Sequence, residues 1–336
     1  MQKRKVLYTL VSLLILSAFG LLTWQLLFPE SSLKLIPEKD SSKTYSIQVV
    51  LKARNASPDF WRIVEQGIDV AAEECDIEYE VNGPPAEIDI DTQIQMVRNA
   101  IAKKPDAIIL AASDYEKLVP VCKEAFEAGI PVIMLDSNVN YDKAVTLVST
   151  DNYEIGRKLA DLLGNYIGED DRFGVVGHFP YTTTAVGRST GLLENTPNSD
   201  ERLVALEYCD GKVEIAKEKA TKMLLENPDI KAMVGLNEAS SLGIAYALTE
   251  LGLEGQIPLI ACDSSTAQIK YMENGTVPAC VVQNPFNMGY LSMQAAVQHL
   301  QGKSLPDFID TASVIVTREE MYKPEYQKLL FPFTDS

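Results

Sequence analysis

Residues 107–135 (AIILAASDYEKLVPVCKEAFEAGIPVIML) have the pattern of a strand, a helix and a second strand. Ala107–Ala111 and Pro131–Leu135 are uninterrupted apolar runs. Such strands are expected where helices cover both faces of a parallel sheet. The helix between them, Lys117–Ala128, is followed by Gly129, a common residue just after a last helical turn. The stretch therefore predicts a β–α–β unit of a doubly wound parallel sheet.

The alternation of strand-like and helix-like segments continues from this unit in both directions. On its amino-terminal side the predicted elements are Tyr45–Leu51, Asp59–Glu74, Ile77–Val81 and Asp91–Ala102. After Thr150, helices and strands are predicted in turn over Tyr153–Tyr166, Arg172–Val176, Thr184–Glu194, Leu203–Glu207, Val213–Glu226, Lys231–Gly235, Ala239–Leu251 and Pro258–Cys262. Two consecutive blocks of similar size predict two similar lobes. A last strand, Val277–Val282, and a last helix, Phe286–Gln301, follow, and the pattern leaves open which lobe they join.

The amino-terminal segment has the pattern of a membrane-targeting sequence. Residues 1–5 contain three basic residues and precede the uncharged run Val6–Phe28. A helix of this length spans about 34 Å, enough to cross a hydrocarbon core of about 30 Å. Residues 6–28 are thus predicted to be a transmembrane anchor, with residues 1–5 as its cytoplasmic flank and the rest of the chain outside the cytoplasm. The alternative is a cleaved signal and a secreted or periplasmic protein, because Ala18–Gly20 resembles a weak cleavage site.

The composition of the chain excludes several classes of function. The polar segment 29–44 contains two prolines and predicts a linker to a body that begins at residue 45. The formal net charge is −17, which argues against a nucleic-acid partner because phosphate binding needs a basic face. No G-x-G-x-x-G motif occurs, and the five cysteines show no C-x-x-C spacing. We therefore expect neither a nicotinamide cofactor nor a metal site, and no cofactor of another kind is predicted.

Polar and aromatic residues follow the predicted strands where a binding site is expected. In doubly wound sheets, ligands bind beyond the carboxyl ends of the strands. Carboxylates and amides there can hydrogen-bond neighbouring hydroxyl groups, and aromatic rings can cover the apolar C–H face of a sugar ring. The pattern predicts a polyhydroxylated ligand. The segments that follow the predicted strands are residues 52–55 with Phe60-Trp61, 136–138, 178–181, 208–210, 237–238, 263–265 and 283–284.

Over about residues 45–318 the body resembles the periplasmic ribose/galactose/xylose-binding proteins, the type I two-lobed substrate-binding proteins of sugar ABC transporters. The segments that carry the resemblance occur in the family's order along the chain. They are Phe60-Trp61 before Glu65-Gln66-Gly67, Ile94–Leu110, Ile130–Asp136, Ser149–Gly156, Arg188–Gly191, Asn237-Glu238 before Leu242-Gly243, Ile260–Asp263 and Gln283.

The resemblance implies a fold of two doubly wound parallel-sheet lobes joined by three crossovers. These fall near residues 149–151, 283–284 and 310–312. The first lobe would comprise residues 45–149 and 284–310. The second would comprise residues 150–283 and 311–336.

The resemblance also implies roles for individual side chains. Phe60 and Trp61 match the pair that sandwiches the sugar, and the hydroxyl-binding polar residues match Asp136, Asn237, Asp263 and Gln283. The chain departs from the ribose-binding pattern at two arginines, where it has Ser137 and Val186, and at a second-lobe aromatic, where it has Gly211. Lys52 or Arg54 is expected to replace an arginine, and Tyr181 or Tyr208 the aromatic ring. Arg188 is expected to be structural.

The expected function is that of an extracytoplasmic, membrane-anchored receptor without catalytic activity. It would close on a monosaccharide and deliver it to an ABC permease. The alternative is a sensor subunit that reports the bound sugar to a membrane histidine kinase. A glycosidase that uses Asp136 and Asp263 as its carboxylate pair is a third, less favoured hypothesis. The sequence leaves the choice among pentose, hexose and furanose ligands open.

Overall fold

The structure, a computed structural model, describes residues 44–54 and 60–331. Within these residues the strands form two six-stranded sheets. The first sheet contains β1 (Ser46–Val50), β2 (Glu78–Asn82), β3 (Ala107–Leu110), β4 (Val132–Leu135), β5 (Leu147–Ser149) and β11 (Phe308–Asp310). The second contains β6 (Arg172–Gly177), β7 (Leu203–Tyr208), β8 (Ile230–Gly235), β9 (Leu259–Cys262), β10 (Ala279–Gln283) and β12 (Ser313–Thr317).

Helices pack on both faces of each sheet and complete the two lobes. The first lobe has α1 (Phe60–Cys75), α2 (Ile90–Ala102), α3 (Val119–Glu127) and α10 (Pro285–Leu300). The second has α4 (Asn152–Tyr166), α5 (Thr183–Asn195), α6 (Ser199–Arg202), α7 (Val213–Glu226), α8 (Glu238–Glu250), α9 (Thr266–Glu273) and α11 (Pro324–Leu330). Consecutive residues of β1, Val49 and Val50, are buried in different apolar clusters, which explains why the central strands are apolar throughout.

Strand order predicts where a ligand would bind at the edge of each sheet. The first sheet runs β2-β1-β3-β4-β5-β11, and all its pairs are parallel. The second runs β7-β6-β8-β9-β10-β12, with only β12 antiparallel to its neighbour. In each sheet the second strand of the chain lies on one side of the first strand and the third strand lies on its other side. The direction in which strands are added therefore reverses at β1 in one lobe and at β6 in the other. Ligands of doubly wound folds bind beyond the carboxyl ends of strands at such reversals.

The chain passes between the lobes three times, after β5, after β10 and after β11. The strand β10 lies in the second sheet, whereas α10 packs against the first, which answers the question that the sequence pattern left open. The first and third crossings touch each other, because the Thr150 and Thr311 hydroxyl oxygens are 3.0 Å apart. The predicted two-lobed parallel α/β fold is confirmed.

Paired glycines bring two helices into close contact in each lobe. A Cβ at Gly67 of α1 would lie 2.0 Å from the Phe286 carbonyl oxygen of α10, and Gly289 faces α1 in the same way. In the second lobe a Cβ at Gly156 of α4 would lie 2.3 Å from the Arg188 carbonyl oxygen of α5, and Gly191 faces α4. Any side chain at these positions would push α1 or α5 away from its neighbour.

The predicted anchor at residues 6–28, its flank and all but the last residue of the predicted linker lie outside the described residues. Within residues 44–54 and 60–331, no helix combines the length and the apolar character needed to span a bilayer.

Candidate functional site

A cavity of about 400 Å³ lies between the carboxyl ends of the two sheets. Its size falls within the range of small-molecule sites, about 300–1,000 Å³. Both lobes contribute to its wall. The predicted site residues that line it are Lys52, Phe60, Trp61, Asp136, Asn237, Asp263 and Gln283.

A buried ion pair forms the polar part of the first-lobe wall. Lys52 follows β1 and Asp136 follows β4, and Lys52 Nζ lies 2.7 Å from Asp136 Oδ2. The side chains are only 3% and 6% exposed. At such depth each charge depends on the other for compensation. The backbone of Asp136 is left-handed, with φ of +61°, a conformation that aspartate tolerates better than most residues.

Two aromatic rings form the flat part of the same wall. Phe60 and Trp61 begin α1, and their ring centroids are 5.0 Å apart in an edge-to-face arrangement. The Trp61 indole N–H donates to Glu87 Oε1 at 2.8 Å, and Lys52 Nζ lies 5.9 Å from the centre of the indole. Polar groups thus fix the indole on two sides.

Asp263 is the centre of the second-lobe wall. It follows β9 and, like Asp136, has a left-handed backbone, with φ of +67°. Gln283 Nε2 donates to its Oδ1 at 2.5 Å, and the Glu238 N–H donates to its Oδ2 at 3.1 Å. Arg188 Nη1 lies 3.6 Å from the same Oδ2. Several donors therefore share the negative charge of Asp263.

Arg188 is a buried cation with several partners. It lies on α5 and is 3% exposed. Its Nε donates to Asn152 Oδ1 at 2.9 Å and its Nη1 to the Leu236 carbonyl at 2.8 Å. The predicted structural role fits these contacts, but Arg188 also lines the cavity, which the sequence analysis did not anticipate.

Asn237 is the N-cap of α8 as well as a cavity residue. Its Oδ1 accepts from the Ser240 N–H at 3.0 Å, and the Ser240 hydroxyl accepts from the Asn237 N–H at 3.0 Å. This reciprocal arrangement satisfies backbone donors of the first turn. The carbonyl oxygen of the side chain therefore caps the helix, and the same residue lines the cavity.

The sequence pattern that defines the periplasmic binding protein domain matches residues 47–304 of the chain. The chain belongs to the periplasmic binding protein family. The D-ribose/D-allose-binding protein of Pseudomonas aeruginosa is 26% identical over 265 residues, which are 76% of this chain and 83% of the relative. The D-allose-binding periplasmic protein of Escherichia coli is 26% identical over 285 residues, 80% of this chain and 91% of that protein.

Solved structures show the same periplasmic binding protein fold. A sugar transporter of Clostridium phytofermentans aligns with a TM-score of 0.77 and 34% identity, over 82% of this chain and 99% of its own. An ABC transporter solute-binding protein of Agrobacterium vitis, solved with bound D-fucose, aligns with a TM-score of 0.81 and 31% identity, over 85% and 100%.

One predicted site residue of this periplasmic binding protein lies elsewhere. Arg54 is not among the residues that line the cavity. Its guanidinium donates to the Val81 carbonyl at 2.7 Å and to Glu65 Oε1 at 2.9 Å, because β2 and α1 place acceptors within its reach. Of the two candidates for a replaced arginine, Lys52 is the one that the structure places in the cavity.

The second-lobe ring of the cavity is Phe179, which lies in the predicted strand-end segment 178–181 but was not singled out as a site residue. Phe179 follows β6 and is almost fully buried. Tyr181, a predicted substitute for that ring, packs instead against the apolar cluster of the first lobe. The Tyr208 side chain lies against Gly177 and does not line the cavity. The expectation that one of these tyrosines lines the site was therefore wrong.

His178 and Glu87 are further cavity residues that the sequence analysis did not select as site residues. His178 Nε2 lies 2.9 Å from the Thr184 hydroxyl. Burial lowers the pKa of His178 well below its usual value, and the charges of Arg188 and Lys52 lower it further, so the ring is neutral at neutral pH. Glu87 follows β2 by five residues. It lies too far from the strand end for the rule that selected Asp136, which directly follows β4.

The two lobes also contact each other beside the cavity. The Tyr115 N–H of the first lobe donates to the Tyr181 carbonyl of the second at 3.1 Å. The Asn138 N–H donates across the same boundary to the Thr183 hydroxyl at 3.2 Å. The lobes therefore contact each other directly at this edge of the cavity.

Proposed function

We propose that this protein is an extracytoplasmic receptor that closes on a monosaccharide and delivers it to an ABC permease. The observation that carries the proposal is the composition of the cavity wall. Flat rings come from both lobes, although mainly from the first. Each lobe also contributes a carboxylate next to a cation, Asp136 in the first and Asp263 in the second. Aromatic faces suit the C–H side of a sugar, and ionised or amide groups suit its hydroxyls.

Related proteins support a monosaccharide as the ligand. The relatives from Pseudomonas aeruginosa and Escherichia coli bind D-ribose or D-allose according to their names, and the Agrobacterium vitis protein was solved with D-fucose. All three ligands are small and uncharged. A cavity of about 400 Å³ has room for one such ring.

Closure follows from the division of the site between the lobes. A sugar that contacts Asp136 on one side and Asp263 on the other binds the closed form more tightly than the open form. It therefore shifts the population toward the closed form by that difference in affinity. The permease would recognise the closed shape. A tether at residues 6–28 would restrict the receptor to the membrane surface and raise its effective concentration there.

The contacts of the two carboxylates argue against glycosidase activity. Asp136 is paired with Lys52, and Asp263 is shared among several donors. A general acid needs a proton on one carboxyl group, which neighbouring cations disfavour. Residues 187–191 (GRSTG) match the G-x-S-x-G pattern of hydrolases, but Ser189 lies within α5 and its hydroxyl donates to the Ala185 carbonyl at 2.9 Å.

Titration calorimetry with D-ribose, D-allose, D-xylose, D-fucose and D-arabinose tests the proposal. We expect heat of binding and one site per chain for at least one of these sugars. Asp263→Ala should abolish it, whereas Asp142→Ala, at a surface residue 84% exposed, should not. Absence of binding to every sugar, or binding that Asp263→Ala leaves intact, would contradict the proposal. Sugar uptake that requires the permease would indicate delivery. A kinase response to the sugar would indicate the alternative role as a sensor.

A further inference from the structure

Glu87 is a carboxylate that enters the cavity from a loop with no predicted site residue. It lies between β2 and α2, is half-buried and lines the cavity. Its Oε1 accepts the Trp61 indole N–H at 2.8 Å. This contact joins the carboxylate to the ring that is expected to stack on the sugar.

Charged or titratable groups from four other parts of the chain surround Glu87. Lys52 follows β1 and Asp136 follows β4 in the first lobe, and Arg188 on α5 faces it from the second. Tyr181, between β6 and α5, also interacts with it. Burial raises the pKa of the Glu87 carboxyl above its ordinary value, and the positive charges of Lys52 and Arg188 oppose this rise. Glu87 thus lies where the two lobes meet.

We propose that Glu87 is a specificity-determining residue of the sugar site, which fixes the plane of Trp61 with one carboxylate oxygen and accepts a ligand hydroxyl with the other. The proposal rests on the proposed function. An indole that is free to rotate about its side-chain bonds stacks on a sugar only part of the time. A hydrogen bond to an ionised group holds one orientation, and bonds of this type are among the strongest in proteins.

The charge of Glu87 also limits the class of ligand. A second first-lobe carboxylate near Asp136 repels the carboxylate of a sugar acid and the phosphate of a sugar phosphate. A neutral sugar has only hydroxyl groups to present, and each can donate to Glu87. Glu87 therefore favours neutral monosaccharides over their anionic derivatives.

Fluorescence of Trp61 tests the contact without any ligand. The chain has two tryptophans, so Trp24→Phe in the full-length protein leaves Trp61 as the sole reporter. Between pH 4 and pH 8 its emission should change in one step as Glu87 ionises, with a midpoint above that of an ordinary glutamate. Glu87→Gln should remove the step, and Asp89→Asn, in the same loop but away from the cavity, should keep it. A step that persists in Glu87→Gln overturns the contact.

Calorimetry with the same five sugars tests the role in binding. At pH 7 Glu87→Ala should weaken the best-bound sugar about 100-fold. Glu87→Gln should weaken it only about tenfold, because its amide oxygen can still accept the indole N–H. Wild-type affinity should fall as the pH drops through the Glu87 ionisation, and the affinity of Glu87→Gln should not. If Glu87→Ala binds sugar as tightly as the wild type, the role of Glu87 is wrong and the proposed function still stands. If the wild type binds none of the sugars, both the proposed function and the role of Glu87 are wrong.

Discussion

Asp136 and Asp263 occupy equivalent places in the two lobes but have different partners. Each follows the fourth strand of its sheet, is left-handed, and donates its N–H to the next strand, at 2.9 Å to Val148 and 2.8 Å to Val281. Asp136 pairs with Lys52 at 2.7 Å, whereas Asp263 accepts from an amide and a backbone N–H and lies near Arg188. The same backbone position is thus held by one ion pair in the first lobe and by a network in the second.

The largest expected difference between the Asp136 ion pair and the Asp263 network is in the free energy of unfolding that each carboxylate contributes. Asp136→Asn leaves Lys52 buried without its counter-charge, so the free energy of unfolding should fall by about 3 kcal/mol. Asp263→Asn should lower it by only about 1 kcal/mol, because Arg188 keeps its bonds to Asn152 and Leu236. Urea unfolding measures both, with Asp142→Asn as the exposed control. Equal losses for the two variants would remove the distinction between the lobes.

The aromatic wall belongs mainly to the first lobe, and affinity should reflect this. Trp61→Ala removes the ring that stacks on the sugar, so sugar affinity should fall at least 100-fold, which corresponds to about 2.7 kcal/mol. Phe126→Ala, at an exposed ring of the same lobe, should leave affinity unchanged. Calorimetry measures both, and circular dichroism confirms that the variants fold. Full affinity in a folded Trp61→Ala protein would place the sugar elsewhere.

Variants at Asn237 should have a smaller effect on sugar affinity. They separate the role of this second-lobe residue as a helix cap from its role in binding. Asn237→Asp keeps the capping oxygen but replaces the amide donor, so affinity should fall about tenfold, or 1.4 kcal/mol, with stability nearly unchanged. Asn237→Ala also loses the cap and should cost about 1 kcal/mol of stability. If Asn237→Asp binds sugar as tightly as the wild type, the residue is a helix cap alone.

The smallest expected effect is a pH dependence of the free energy of unfolding, which arises from His178 in the second lobe. The folded protein holds this ring neutral, whereas the unfolded chain takes up a proton as the pH falls below about 6.5. The free energy of unfolding should therefore decrease between pH 7.5 and 5.5, with His178 contributing about 1 kcal/mol of the decrease. Urea unfolding of His178→Asn should lack that contribution and His299→Asn should retain it. A pH dependence that is identical in both variants would show that His178 takes up its proton in the folded state.

The regular alternation of the chain made most of the fold predictable. Apolar runs such as Ala107–Ala111 identify strands that are covered on both faces. The strands β5, β11 and β12 were not predicted. The first two have only three residues each, and β11 and β12 pair with strands that lie far away in the chain. The register of such strands depends on tertiary contacts more than on local pattern.

The candidate site was predictable where a residue directly follows a strand, as Asp136 and Asp263 do. It was less predictable where a long side chain has several acceptors within reach. Arg54 lies two residues after Lys52, yet Val81 and Glu65 hold it away from the cavity. Arg188 enters the cavity from the second turn of a helix, where the strand-end rule gives no signal.

Small-angle X-ray scattering from a chain that begins at Lys43 tests the central claim most directly. The sugar that calorimetry identifies should lower the radius of gyration, because it shifts the two lobes toward their closed form. Asp263→Ala, which loses the second-lobe contact, should show no change at the same sugar concentration. A radius of gyration that stays constant while the wild type is saturated with sugar would contradict closure of the lobes on the ligand.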